Sequence, residues 1–453
     1  MVKISVLQHV PSAHLPTRPG DPTPTSRNLD PLLHPFSRAR ERTRALNAVK
    51  MERMFARPFV ASLEGHVDAI ECMRMKPGSL SEVVSGSWDG EIIKHDLSTR
   101  TKGLTISQAH KGKVSGITYG QNSENVLSCG VDRNVKLWDS EGKALETFTG
   151  KTAFNAIDHH FTDPIFATAS NTVQIWDETK STALLNLAHS ATTETITSLK
   201  FHHSEPSLLG SIGSSRTFTL YDIRSSSPIE RQIVMAFQNT AIHFSPLLPT
   251  QLLLPSEDHN LYTFDLRYLK APTEIYKGHV ASATCAAYSP TGLEFVSGSW
   301  DRTIKIWNVK DAGGPSSNIS GGKSRDTYHT KRMQRITAVC FTPDAQHILS
   351  ASDDGNMRIW KADASKKQGI VTARERAAIE YRKALIGRWK GDREVGKVER
   401  RRFLPKSVYQ AGKLKRTMVD ARKEKEDRRR KHTREGEGKK VAERKKVVVT
   451  EQA

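Results

Sequence analysis

The stretch "SGSWDRTIKIWN", Ser297 to Asn308, decides the fold because it comes back again and again along the chain. It reads as a small-residue strand, a tight polar turn, an alternating strand, and a terminal aromatic followed by Asp or Asn. "SGSWDGEIIKHD" ends the same way at Asp96, "SCGVDRNVKLWD" at Asp139, and "ATASNTVQIWD" at Asp177. "GSSRTFTLYD" ends at Asp222, "PSEDHNLYTFD" at Asp265, and "SASDDGNMRIWK" at Lys361. The intervals between these ends are 43, 38, 45, 43, 43 and 53 residues. Self-similarity at such a period outranks every local signal.

Seven units of about 43 residues match the four-strand blade of a WD40 propeller. The expected fold is therefore all-β, a seven-bladed β-propeller carrying basic, α-helical N- and C-terminal extensions. A second regularity supports it. A small polar or acidic residue stands six positions before each terminal aromatic or its substitute: Asp89–His95, Asp132–Trp138, Ser170–Trp176, Ser215–Tyr221, Asp258–Phe264, Asp301–Trp307 and Asp354–Trp360. Upstream, Gly65-His66, Ala109-His110, Ala188-His189, Gly278-His279 and Tyr328-His329 fill the "GH" place. The physics is a polar lock, in which the turn Asp accepts a hydrogen bond from the His and ties the inter-blade loop to the strand ending in Trp. His66, Asp89, His110, Asp132, Trp138, His279, Asp301, Trp307, His329, Asp354 and Trp360 are assigned to it. The same residue types serve elsewhere as metal ligands or acid/base pairs, but an active site occurs once and this arrangement recurs. No catalytic residue, metal ligand or cofactor is expected. Blades three and five lack the His, and blade one has His95 where Trp belongs.

Ring closure is also legible. "RPFVASL" (Arg57–Leu63) has strand character without a blade of its own, and no good strand follows Trp360. The N-terminal strand should complete the last blade so that no sheet edge stays open. The expected division is a basic extension over 1–56, a propeller over 57–361 closed by 57–63, and a basic helical extension over 362–453. The Gly/Ser/Asn-rich segment Asp311–Asp326 reads as a surface loop. Its "GGKS" is not a phosphate loop, since Ser317 stands where Gly is required and no strand leads into it.

Charge follows the same division. Residues 1–60 hold 10 Lys/Arg against 4 Asp/Glu, giving +6, and residues 361–453 hold 31 against 14, giving +17. The body between has 28 against 31, giving −3. A near-neutral wheel with two basic arms points to nucleic acid, an anionic surface or nuclear import. No run of 18 apolar residues exists to span a membrane, and the start of the chain does not read as a secretory signal. Cys72, Cys129, Cys285 and Cys340 are far apart in strand-like runs, as buried reduced thiols would be.

Within the arms, "SRARERTRALNAVKMERMF" (37–55) reads as a basic helix with an apolar side at Ala45, Val49 and Met51 to Phe55. Thr372 with Glu375 makes a capping box for a helix whose stripe is Ala378, Tyr381, Leu385 and Trp389. In "RRFLPKSVYQAGKLKR" (401–416) Pro405 stops any helix before it, and Ser407 with Gln410 offers a second box. That segment combines six positive charges with two aromatic rings. Lys and Arg neutralise phosphates while rings stack on bases or fill protein pockets. Arg401, Arg402, Phe403, Lys406, Tyr409, Lys413, Lys415 and Arg416 are the candidate RNA- or partner-binding residues. The run 421–446 is read first as a solvated, charged face with an import signal.

The stretch "RNLDPLLHPFSRARERTRALNAVKMERMFARPFV" (27–60), joined to a seven-blade propeller and the tail "RRFLPKSV" (401–408), resembles the Sof family over essentially the whole chain. These are WD-repeat proteins of the U3 snoRNP in the small-subunit processome, and animal members are also described as cullin-ligase associated factors. Arg42 replaces an expected Tyr, and Arg57 an expected Lys. The resemblance implies a non-catalytic assembly factor for 18S rRNA maturation in the nucleus and nucleolus. Its implied partners are pre-rRNA, U3 snoRNA and other processome proteins, with no membrane and no small-molecule substrate. The competing reading is a substrate receptor of a cullin-RING ubiquitin ligase. It rests on "YDIR" and "FDLR", whose Arg224 and Arg267 are similar to the adaptor-docking WDxR motif without its Trp. Blade-to-blade packing or plain solvation explains these arginines equally well.

Overall fold

The computed structural model describes residue 20 and residues 33–187, 194–225, 229–309, 324–433 and 442–452. The Pro/Ser/Thr-rich start, His189 and the "GGKS" glycines and lysine lie outside these. The chain divides into two compact units, residues 59–362 with 404–453 and residues 1–58 with 363–403.

The first unit is built on seven antiparallel sheets. Six blades run as simple meanders over residues 70–106, 114–149, 156–187, 196–235, 243–277 and 283–328. The seventh takes three strands from residues 336–361 and its fourth from the start of the chain. That closing strand, Phe59–Leu63, pairs antiparallel with Met357–Lys361, Phe59 opposite Trp360 and Leu63 opposite Met357. Pairing starts at Phe59; the Arg57 N–H belongs to the other unit, where it reaches Ala364 O at 3.3 Å. Apolar side chains from adjacent blades meet between the sheets. Phe148, Phe154, Phe166 and Trp176 form one such seam, with the Phe166 and Trp176 rings stacked 6.2 Å apart.

The lock is complete in blades two and six. His279 Nδ1 lies 3.0 Å from Asp301 Oδ2, and its Nε2 is 2.7 Å from the Ser297 hydroxyl, which also accepts the Trp307 indole N–H at 2.8 Å. His110, Asp132, Ser128 and Trp138 repeat this at 3.0, 2.7 and 2.8 Å. One hydroxyl thus joins loop, strand and indole, and burial makes each bond costly to lose. Burial lowers the His279 pKa; it would raise that of Asp301, but the adjacent His279 and the Thr303 hydroxyl hold that carboxyl well below the usual range. Both side chains are almost fully buried, which suits orientation of a loop rather than contact with a ligand.

The other blades depart from this pattern in ways that have physical reasons. Blade three keeps the indole bond, Trp176 to Thr168 Oγ1 at 2.9 Å, but Ser170 turns back to Thr172 O and Phe154 lies edge-on to the indole. In blade seven Trp360 donates to Ser350 at 2.8 Å, yet Asp354 is taken by Arg358 on the following strand at 3.1 Å. The expected His329–Asp354 bond does not form, because a charge-assisted pair four residues away satisfies the carboxylate first. In blade one His66 reaches Ser85 at 2.7 Å, but its Nδ1 stands 3.9 Å from Asp89, and both ring nitrogens of His95 are buried without a partner.

That defect sets a test. Burial pushes His66 and His95 down to about 4 from 6.5. The unfolded chain therefore takes up protons below pH 6.5 that the folded chain refuses until about pH 4, so stability falls through that window as pH drops. His95→Trp should supply an indole N–H to Ser85. Thermal melts of the variant are expected a few degrees higher at pH 7 and less depressed at pH 5; an unchanged pH response would refute this account of blade one.

Candidate nucleic-acid interface

The second unit is a three-helix assembly. Helix α1 (Ser37–Met54) packs with α2 (Ala373–Trp389) and α3 (Arg393–Glu399). Ala45 and Val49 of α1 are buried as its pattern suggested, whereas Met51, Met54 and Phe55 are exposed. Glu41 is buried, accepts the Trp389 indole N–H at 3.1 Å, and lies 3.4 Å from Arg388. Arg42, the unexpected residue of the N-terminal stretch, pairs with Asp392 at 3.1 Å and Glu394 at 3.0 Å. The Thr372–Glu375 capping box is present. Arg401, Arg402 and Phe403 end this unit: Arg402 donates to Glu399 O at 2.6 Å, and Phe403 is exposed with the Arg401 guanidinium 6.0 Å from its ring.

The rest of the candidate site lies on α4 (Lys406–Lys431), in the propeller unit. The expected Ser407 cap does not form. The helix starts at Lys406 directly after Pro405, whose fixed φ suits a helix start, so Ser407 already lies inside the first turn. Val408 is buried, Gly412 approaches Val280, and Lys415 donates to His279 O at 3.3 Å. Desolvation lowers the Lys415 pKa. These positions share a helical face seated at the blade-six lock loop. Lys406, Tyr409, Lys413 and Arg416 follow at i, i+3, i+7 and i+10, form another face, and are exposed. The structure therefore gathers four of the eight candidates into one outward cationic stripe around a tyrosine, turns Lys415 inward, and puts the remaining three in the other unit. Beyond Asp420 the helix is laced by Arg422–Glu426, Glu424–Arg428 and Glu426–Arg430 ion pairs. Such exposed pairs neutralise charge locally and add little stability.

Sequence reading missed a strand beyond α4. Residues Val448–Gln452 form a fifth strand on blade four, antiparallel to Ile229–Met235, with Ile233 opposite Glu451 and Met235 opposite Val448. Val447 enters the core of blades four and five beside Met235 and Phe264, and Arg444 reaches Glu274 at 3.3 Å. The β-branched run Val447–Thr450 was the available signal. A cleft of about 250 Å³ opens beside it, lined by Phe237, Asp258, Tyr262, Lys277 and Lys446 among others. Arg224 and Arg267 are on the propeller surface, 72% and 76% exposed. Arg267 bonds its own Asp265 at 3.1 Å, and Arg224 donates to Ser207 at 2.6 Å.

Comparison with known proteins agrees with the propeller fold and the C-terminal extension. Residues 362–448 match the family described as Sof1-like domain, and residues 57–96, 102–139, 270–308 and 322–361 match the WD domain, G-beta repeat. The chain is 39% identical over 455 residues to "DDB1- and CUL4-associated factor 13" of Xenopus tropicalis, covering 99% of both. It is 34% identical to "Protein SOF1" of Saccharomyces cerevisiae, covering 99% of this chain and 94% of that one. Among solved structures, the WD40 β-propeller domain of Doa1 superposes with a TM-score of 0.57 over 67% of this chain and 96% of that one. At 17% identity it attests the fold alone.

Removing residues 442–453 should leave a folded ring whose blade-four edge is bare. Hydrogen exchange is expected to speed up at Ala236, whose N–H bonds Val447 O at 2.9 Å, and at Ile233, while the blade-six strands keep their protection. Unaltered exchange at Ala236 would show that the strand does not hold this edge in solution.

Proposed function

The chain belongs to the family of WD-repeat proteins that carry a Sof1-like domain, and we propose that it is a non-catalytic scaffold and assembly factor of the nucleolar small-subunit processome. In this role it is needed for pre-18S rRNA processing and 40S subunit biogenesis. Its partners are pre-rRNA, U3 snoRNA and other processome proteins. The observation that carries this reading is the Sof1-like match over the basic extension, within full-length similarity to a protein named for SOF1. Geometry supplies the means. The propeller offers a rigid, nearly neutral body, and α4 is fixed to it through Val408, Gly412 and Lys415 while its Lys406, Tyr409, Lys413 and Arg416 face remains free for phosphates and bases. Seating the helix first means that little ordering entropy is left to spend when RNA binds. The same basic runs serve nuclear import.

Recovery of U3 snoRNA and pre-rRNA with the tagged full chain tests it. Lys413→Ala with Arg416→Ala should reduce recovery and flatten the dependence of log affinity on log salt by about 1.4, at roughly 0.7 per lost phosphate contact. Equal recovery with an equal salt slope would remove α4 from RNA binding.

A second reading, a substrate receptor of a cullin-RING ligase, is favoured by the name of the vertebrate relatives and by the exposure of Arg224 and Arg267. Both arginines must leave the local partners they hold here to meet an adaptor. On this reading Arg224→Ala with Arg267→Ala lowers co-precipitation of DDB1 and spares U3 snoRNA. Undiminished DDB1 recovery would dispose of these two residues as the docking point.

A further inference from the structure

Blade six carries an indole that the core does not use. Trp300, in the turn after Glu294–Ser299, is 51% exposed and occupies the repeat position of Trp88 in blade one. Trp88 is already engaged by its neighbours. Its indole N–H is donated to Glu71 at 2.8 Å, and Lys113, 4.9 Å from its ring centroid, is paired with Glu71 at 2.8 Å. Trp300 has no such arrangement. The Arg335 guanidinium lies 4.4 Å from its centroid and has no carboxylate partner among the described residues.

Arg335 belongs to the loop 329–335 that enters blade seven. The same loop exposes Lys331 and Arg332, also without an ion pair among the described residues, and is pinned by the buried Met333 and by Gln334 N–H to Ser352 Oγ at 3.2 Å. Arg302, held at the surface by a left-handed turn (φ 62°), adjoins Trp300 through the lock residue Asp301. Asp301 is committed to His279, and the exposed Asp353, whose N–H bonds Arg335 O at 2.9 Å, has no ion pair among the described residues. A half-exposed indole thus carries one guanidinium over its ring, and its own turn and the loop that supplies Arg335 add three more cations without an ion pair among the described residues, on a body whose net charge is −3 (28 Lys/Arg against 31 Asp/Glu over residues 61–360).

We infer that Trp300, Arg302, Lys331, Arg332 and Arg335 form a platform for single-stranded RNA, with one unstacked base on the indole and its flanking phosphates against the cations. Stacking is tolerant of sequence and needs an exposed ring, while phosphate neutralisation needs cations without internal partners. A base on the ring with its flanking phosphates on the cations uses both parts of the group at once, and that combination favours RNA. The inference rests on the RNA reading above for its ligand, but its residues are separate from the outer face of α4.

The test uses the full chain and an oligouridine of roughly ten nucleotides, followed by fluorescence anisotropy and by photocrosslinking of its 4-thiouridine form. Trp300→Ala should weaken binding roughly tenfold and Trp300→Phe should restore most of it. Replacing Lys331, Arg332 and Arg335 by Ala should lower the salt slope by about 2, and crosslinks should map to Trp300 or residues 329–335. Unchanged affinity in Trp300→Ala, crosslinks confined to residues 406–433, or an equal Trp300-dependent loss with a decaglutamate peptide would each overturn the platform. If Lys413→Ala with Arg416→Ala loses RNA and Trp300→Ala does not, the platform fails and the α4 reading stands. The converse result upholds the platform and refutes α4.

Discussion

A ring of sheets has no stable open form, and everything else in this protein depends on how the ring is shut. If blade seven had three strands, Met357–Lys361 would offer a bare ladder of N–H and C=O groups to any passing edge. Phe59–Leu63 supplies the missing partner, and the Phe59 ring meets Trp360 edge-on at 5.6 Å. Because the closing strand comes from one end of the body and its partner from the other, Pro58 and Asp363 leave the same sheet. That is why α1 can join α2 and α3 in one unit although Arg42 and Asp392 are 350 positions apart in sequence. Closure is therefore a link in sequence as well as in structure: it makes one helical unit out of two distant extensions.

Within the ring, the blades need not be identical to be mutually stable. Each contributes apolar surface to its two neighbours, and this non-directional term tolerates Tyr221 or Phe264 where other blades have Trp. The directional part, one hydroxyl shared by a histidine and an indole, appears complete in blades two and six. In blade three a phenylalanine replaces the histidine, and in blade seven an arginine takes the carboxylate. Blade one keeps the histidine but loses the indole, leaving buried nitrogens that are unpaired. The lock thus refines loop positions around a fold that packing has already specified.

This division explains what could be read in advance. Period, blade number, closing strand and the Thr372 cap are encoded in neighbouring residues, so composition and spacing expose them. The direction of a lysine is not encoded that way. Lys413 and Lys415 look alike in "GKLKR", and only the position of Val280 and His279 O decides that one faces solvent and the other the body. Arg358 displacing His329 from Asp354 was likewise invisible, because strand residues between turn and aromatic vary freely in the repeat. The strand Val448–Gln452 has a β-branched signal but no feature naming blade four as its mate, which required the long outer strand Ile229–Met235 to be in place. Trp88 and Trp300 sit in almost identical motifs and differ by a carboxylate contributed from Glu71, in another strand.

The charge pattern then acquires a structural sense. A body at −3 does not attract polyanions as a whole, so cations must be presented where nothing nearby cancels them. The distal half of α4 fails that condition, since its arginines are matched by glutamates one turn away. Its first turns satisfy it, because the acidic residues start only at Asp420 and the desolvated Lys415 is used as an anchor rather than a contact. Counting positive residues would have ranked the distal run "RKEKEDRRRK" above "KSVYQAGKLKR". Weighing each cation against its nearest carboxylate reverses that order, and an electrostatic partner responds to the local balance, since charges more than about 10 Å away are screened by salt.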